Sequence, residues 1–166
     1  MKKLFAAAAL SATTVAAPAL AQDAFVEFRA LTPELAQRAA TAALEHCRAE
    51  GYQVGVTITD RFGTPQVFVR DRFAGAHVHE TSLRKAWTAV SFRTPTSELA
   101  EATEAGTEAS GIRHLSQALP LGGGMMIRAG DGDVVAGIGV SGAPSPSLDD
   151  VCAEAGIAAI EMDIAF

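Results

Sequence analysis

The stretch 134-VVAGIGVSGAPSPSLDDVCAEAGIAAI-160 decides how this chain is to be read. Gly137, Gly139 and Gly142 fall at the spacing G-x-G-x-x-G, which in a dinucleotide-binding unit brings backbone N–H groups and a helix N-terminus onto a pyrophosphate. That function needs a strand before the motif, a helix opening within it, and a second parallel strand carrying an acidic residue about twenty positions on. The context is missing. MMIRA, the turn Gly130-Asp131-Gly132-Asp133 and VVAGIGVS read as a hairpin, so the glycine-bearing strand follows an antiparallel neighbour and does not begin a βαβ unit. After Gly142 the chain runs through APSPS, and no second strand pattern follows before Phe166. Gly137 and Gly139 have a simpler use. Side chains alternate along a strand, so the two glycines leave a flat strip on one face where a helix or a flat ligand can approach the backbone. Val134, Ala136, Ile138 and Val140 fill the opposite face.

Beyond the strand, Ser145 or Ser147 can cap a last helix whose first turn holds Asp149, Asp150 and Cys152, the acids suiting the positive end of the helix dipole. Upstream, Leu31-Thr32-Pro33-Glu34 opens a helix in which Ala36, Ala40, Ala43, Leu44 and Cys47 recur at helical spacing until Gly51. YQVGVTITD then alternates Tyr52, Val54, Val56 and Ile58 against Gly55, Thr57 and Thr59, RFGT turns the chain with Asp60 stabilising the turn, and PQVFVRD returns as a second strand. A helix follows over Val78–Phe92, with Leu83, Ala86, Trp87 and Val90 spaced for one face. Pro95 ends it, and Thr96-Ser97-Glu98 begins a short helix. Residues 105–124 read as an irregular crossing segment ending in three glycines.

No repeat or linker divides this pattern, so residues 22–166 form one domain. Residues 1–21, MKKLFAAAALSATTVAAPALA, read as an export signal: Lys2 and Lys3, a short alanine-rich apolar run, and Ala19-Leu20-Ala21 as the cleavage site. The run is too short and too weakly apolar for the roughly 20 residues that span a bilayer. The mature protein is therefore expected to be periplasmic or secreted, with no membrane span. Its formal charge of −6 falls by two more units with the leader's lysines, which argues against nucleic acid as a partner. Cys47 and Cys152 allow one disulfide, and buried free thiols are the alternative.

Chemistry-bearing motifs are few. There is no G-x-S-x-G elbow, H-E-x-x-H, P-loop or C-x-x-C-H, and Ser141 has no evident base beside it. The histidines remain. GAHVHET places His77 and His79 two apart at a helix entrance with Glu80 adjacent, a spacing that converges on a metal from a loop and diverges within a helix. His114 lies in the irregular segment, and His46 reads as a surface residue of the first helix.

The order of elements, with Lys85-Ala86-Trp87-Thr88-Ala89, LPLGGGMMI and GIGVSGAP in sequence, resembles the GlcG/HbpS family of small haem-binding proteins, itself similar to the C-terminal domain of PduO-type corrinoid proteins. The resemblance covers about residues 31–161, and departs from the usual pattern in having Met125-Met126 where a proline-containing segment commonly follows the glycines. It implies an α+β, profilin-like sandwich with a central antiparallel sheet flanked by helices, a homo-oligomer such as a dimer or ring, and non-covalent binding of haem or another tetrapyrrole. Haem needs an axial donor, an apolar slot and cations for its propionates. His77 is the first choice of ligand and His114 the second, with Arg84, Lys85 and Arg113 as cationic partners; His77 and His79 are the candidates for a separate metal. An exported haem carrier, sensor or redox accessory is the leading reading and a non-catalytic one is preferred. An enzyme acting on a tetrapyrrole or small oxidised organic substrate, and a ring-forming partner subunit, are the alternatives.

Overall fold

The computed structural model describes residues 26–166, so the leader read over 1–21 and the first residues of the domain read over 22–166 lie outside the described part. The elements in order are α1 (Pro33–Ala49), β1 (Gly55–Asp60), β2 (Pro65–Arg70), α2 (Val78–Phe92), α3 (Thr96–Ala102), a 3-10 helix (Glu108–His114), β3 (Gly124–Arg128), β4 (Val134–Ser141) and α4 (Pro146–Ala158). A short 3-10 turn, Glu161–Asp163, follows. Local chemistry sets the boundaries. The Thr32 hydroxyl accepts the Leu35 N–H and Pro33 occupies the first turn of α1, while Gly51, at φ +86°, takes the chain out after its end. The Asp60 carboxylate accepts the Phe62 and Thr64 N–H groups, closing the β1–β2 turn. Trp87 of α2 packs over that turn so closely that only a glycine, at φ +87°, fits at position 63.

The four strands form one antiparallel sheet in the order β2-β1-β4-β3. Both faces are covered, which is why every residue of β4 is buried although the sheet is antiparallel. On one face Val54, Val56, Ile58, Ala136, Ile138, Val140 and Ile127 meet the alanine-rich sides of α1 and α4 in a single apolar core. Cys47 of α1 and Cys152 of α4 are joined there by a disulfide, so the bonded alternative holds over free thiols. Cys152 sits in the second turn of α4, one turn later than expected, because the helix already starts at Pro146.

The other face answers the question raised by the glycines. Strand register sets Thr57 beside Gly139, and Gly139 beside Gly124. A β-carbon on Gly139 would lie 2.0 Å from the Ser82 carbonyl oxygen, on Gly124 2.4 Å from the Lys85 carbonyl oxygen, and on Gly137 2.6 Å from Val90 Cγ1. The strip is a bed for α2, whose backbone rests directly on the sheet. Two hydroxyl pairs stitch the contact: Thr57 with Ser82, and Thr81 donating to Ser141, each at 2.7 Å. Ser141 therefore faces a threonine and not a base.

Candidate functional site

Between α3 and β3 the chain crosses over α2 without regular pairing, and polar clips hold it. The Thr88 hydroxyl of α2 accepts the Leu119 N–H at 2.9 Å. Arg84, one turn earlier, donates from Nη2 to the Ala118 carbonyl at 2.9 Å and from Nε to the Gln117 carbonyl at 3.4 Å. Thr96 both accepts from Gly124 N–H and donates to the Gly124 carbonyl. Nearer the start of the crossing, Arg113 donates to the Thr103 and Ala100 carbonyls at 2.6 and 2.7 Å, satisfying backbone acceptors left over at the end of α3. Little apolar burial adds to this: no residue of the 3-10 helix is buried.

A hollow of about 530 Å³ opens beside this helix, lined by Glu104, Ala105, Gly106, Ser110, Arg113 and His114. His114 is exposed, and the Arg113 side chain stays at the rim while its Nε and Nη2 cap α3. An imidazole, a guanidinium, a serine hydroxyl and the Glu104 carboxylate thus line a concavity whose remaining walls are the small Ala105 and Gly106.

The remaining candidates lie elsewhere. His77 is the exposed N-cap of α2, makes no side-chain capping bond, and does not line the hollow. His79 is already inside α2, where its ring stands edge-on to Phe68 with centroids 4.6 Å apart. The two imidazoles therefore start from different helical positions and do not converge as loop residues would. Among the described residues no group of three His, Cys, Asp or Glu side chains is placed to hold a metal ion.

Lys85 requires a correction. It is not a surface cation for a propionate: with 1% of its side chain exposed, it runs inward past Gly123 and donates to Asp149 at 2.7 Å and to the Val140 carbonyl at 2.9 Å. Asp149 in turn accepts the Ala143 N–H, and its neighbour Asp150 accepts that of Gly123. Burial pushes the Lys85 ammonium down and the Asp149 carboxyl up, and the contact between them opposes both shifts. The position shares the buried stripe of α2 with Ser82, Ala86 and Ala89, a periodicity that should have marked this lysine as interior. The acids read as helix-dipole partners are thus tertiary clamps. Arg84 also has its donors committed, to the crossing segment and to Glu80 at 3.3 Å.

Sequence reasoning singled out His114 and Arg113 but missed Glu104, Ala105, Gly106 and Ser110, which follow no helical or strand period.

Comparison with known proteins now places the chain. A family model described as haem degrading protein HbpS-like matches residues 31–158. The chain belongs to the HbpS-like family. Among solved HbpS-like structures, an HbpS double mutant of Streptomyces reticuli is 40% identical with a TM-score of 0.77, over 87% of this chain and 97% of that one. A complex of PduOC with haem is 34% identical with a TM-score of 0.74, over 79% of this chain and 95% of that one. The corrinoid adenosyltransferase PduO of Salmonella typhimurium is 35% identical over 123 residues, which make up 73% of this chain but only 36% of PduO. The elements that carried the resemblance in sequence are, in large part, the contact between α2 and the sheet: Lys85, the glycine bend Gly122-Gly123-Gly124, and Gly137 and Gly139 beneath α2.

Proposed function

We propose that this protein binds haem non-covalently, in the hollow beside the 3-10 helix, with His114 as the donor to iron and with Ser110 and Arg113 Nη1, the guanidinium nitrogen not used on the α3 carbonyls, toward the propionates. The observation that carries the reading is the exposed imidazole of His114 on the wall of the 530 Å³ hollow. His114 offers one nitrogen donor, Arg113 a cation at the rim, and Ala105 and Gly106 small walls against which a ring edge can lie, while the Glu104 carboxylate is the one group there that opposes the propionates. The similar PduOC has been solved with haem, which supports the ligand class. When bound, haem supplies a redox-active iron; the chain supplies the donor, the slot and the charge. His77, first choice on sequence, becomes second because it stands outside the hollow.

The role we infer is that of an exported carrier, sensor or accessory to a redox system, assembled as a homo-oligomer and without nucleic acid as partner. The leader pattern, the acidic charge and the Cys47–Cys152 disulfide support it. Among the described residues no helix is long and apolar enough to cross a membrane. The family's description as haem degrading favours one alternative, turnover of the tetrapyrrole. Incubating the haemin-loaded protein with a reductant in air decides between them: a stable Soret band supports carriage, and its catalysed loss supports degradation.

Haemin titration of wild type, His114→Ala and His77→Ala tests the site. His114→Ala is expected to weaken binding by at least about tenfold and to shift the Soret band, the loss of one coordinating donor being worth more than a neutral hydrogen bond. His77→Ala is expected to bind as wild type does. The reverse pattern moves the ligand to the entrance of α2, and no saturable binding by wild type overturns the function.

A further inference from the structure

Arg84 reads from the sequence as a partner for a ligand's acid groups, yet the structure uses its guanidinium otherwise. Nη2 and Nε reach the carbonyls of Ala118 and Gln117, and Nη1 lies 3.3 Å from Glu80 of its own helix. The two carbonyls lie three and four residues beyond His114. On the other side of His114, Arg113 anchors the chain to the end of α3. The imidazole therefore stands between two guanidinium clips, in a stretch where residues 113–117 are all exposed and only Ala118 and Pro120 among residues 108–121 are buried. Segments with few buried apolar contacts open locally at low cost, so the two clips, with the Thr88–Leu119 bond, hold the backbone that carries His114.

We propose that Arg84 is a positioning residue for the ligand-binding imidazole: it fixes the turn that follows the 3-10 helix against α2, and acts on haem through His114 and not by touching the ligand. The proposal rests on the reading that His114 is the haem donor. Arg84 is suited to the task because its planar fork holds two successive carbonyls at once, whereas a lysine at the same position offers a single point charge. Its side chain is 30% exposed, so truncation leaves no buried charge behind and the fold has no reason to fail.

The experiment is a double-mutant cycle with a hydrogen-exchange readout. Backbone amides of residues 112–119 are followed in ligand-free wild type, Arg84→Ala and Arg84→Lys, and haemin is titrated into these, His114→Ala and Arg84→Ala/His114→Ala. Arg84→Ala is expected to raise exchange across residues 112–119 by about tenfold or more, on the scale of losing one charge-assisted hydrogen bond, while the amides of β1 and β4 keep their protection. Haemin affinity is expected to fall by a similar factor, Arg84→Lys to recover part of it, and Arg84→Ala to add nothing in the His114→Ala background. Additive losses in the double variant mean that Arg84 meets the ligand directly, and overturn the proposal while leaving His114 as donor. Unchanged exchange at residues 112–119 overturns it as well. Wild-type haemin binding by His114→Ala overturns the site reading and this role together, and is distinguished by that variant alone.

Discussion

Gly139 shows how much of this molecule turns on the absence of one carbon. Its missing β-carbon would fall 2.0 Å from the Ser82 carbonyl oxygen and 2.7 Å from the Ala86 nitrogen, both backbone atoms of α2 that cannot rotate aside. Gly139→Ala is expected to destabilise the protein by about 3 kcal/mol, the upper end of ordinary overpacking costs, because a whole helix has to shift. Gly111→Ala is the control, since nothing lies within 4 Å of a β-carbon there. Thermal unfolding of both variants, with and without NAD or FAD, checks the assignment: a large loss at 139, almost none at 111, and no nucleotide-dependent stabilisation of wild type. A saturable shift with either nucleotide, abolished by Gly139→Ala, would restore the phosphate-cradle reading. This residue was legible in the sequence because a strand's two-residue period tells which glycines share a face. Lys85 was misread for a complementary reason. Its place on the buried stripe of α2 follows from local spacing, but a charged residue is almost never fully buried unless paired, and the partner, Asp149, lies 64 residues away where no local pattern points to it.

At the scale of elements, that pair is what joins the two sides of the sheet. Lys85 belongs to α2 on one face, Val140 to the strand between, and Asp149 to α4 on the other, so one ammonium ties three elements at the end of β4. The glycine bend is shaped to let it through: at Gly123, φ +109°, a β-carbon would come within 2.9 Å of Lys85 Nζ. Removing one member strands the other in the interior. Lys85→Met is expected to cost about 3–5 kcal/mol, and so is Asp149→Asn, which keeps an acceptor for the Ala143 N–H but leaves the ammonium unpaired. The double variant is expected to regain a large part of the summed loss, since no buried charge is left in it. Urea unfolding of the four proteins measures the coupling, and strict additivity would show that the two side chains stabilise the fold independently. The elements themselves were legible almost to the residue for α2, where the apolar spacing and the following Pro95 bracket the helix. The crossing segment that carries His114 was not: a 3-10 helix with no buried face leaves no period to read, and its clips reach residues 10 to 34 positions away.

For the whole molecule, the Cys47–Cys152 bond connects the way the chain is held together with the compartment it is proposed to work in. It ties α1 to α4 across 105 residues of sequence, at a point where both sulfurs are shut inside the alanine-rich layer. Alanines bury little area each, so the covalent tie supplies a larger share of what holds α1 to α4 than it would in a core of large side chains. A structural disulfide of this kind requires an oxidising environment to form and persist, since the cytosol keeps thiols reduced. The leader pattern over residues 1–21 fits that demand. Expression of the full chain in a bacterial host is expected to yield periplasmic protein with no thiols that alkylate after unfolding under non-reducing conditions. Cys47→Ser/Cys152→Ser is expected to lose about 2–4 kcal/mol in urea unfolding, the usual weight of a disulfide closing a long loop. Cytosolic expression without the leader is expected to reproduce that loss in wild type until the protein is unfolded and refolded under oxidising conditions. Two reactive thiols in the periplasmic protein, or equal stability of wild type and the double serine variant, would separate the disulfide from both the fold's stability and its proposed compartment.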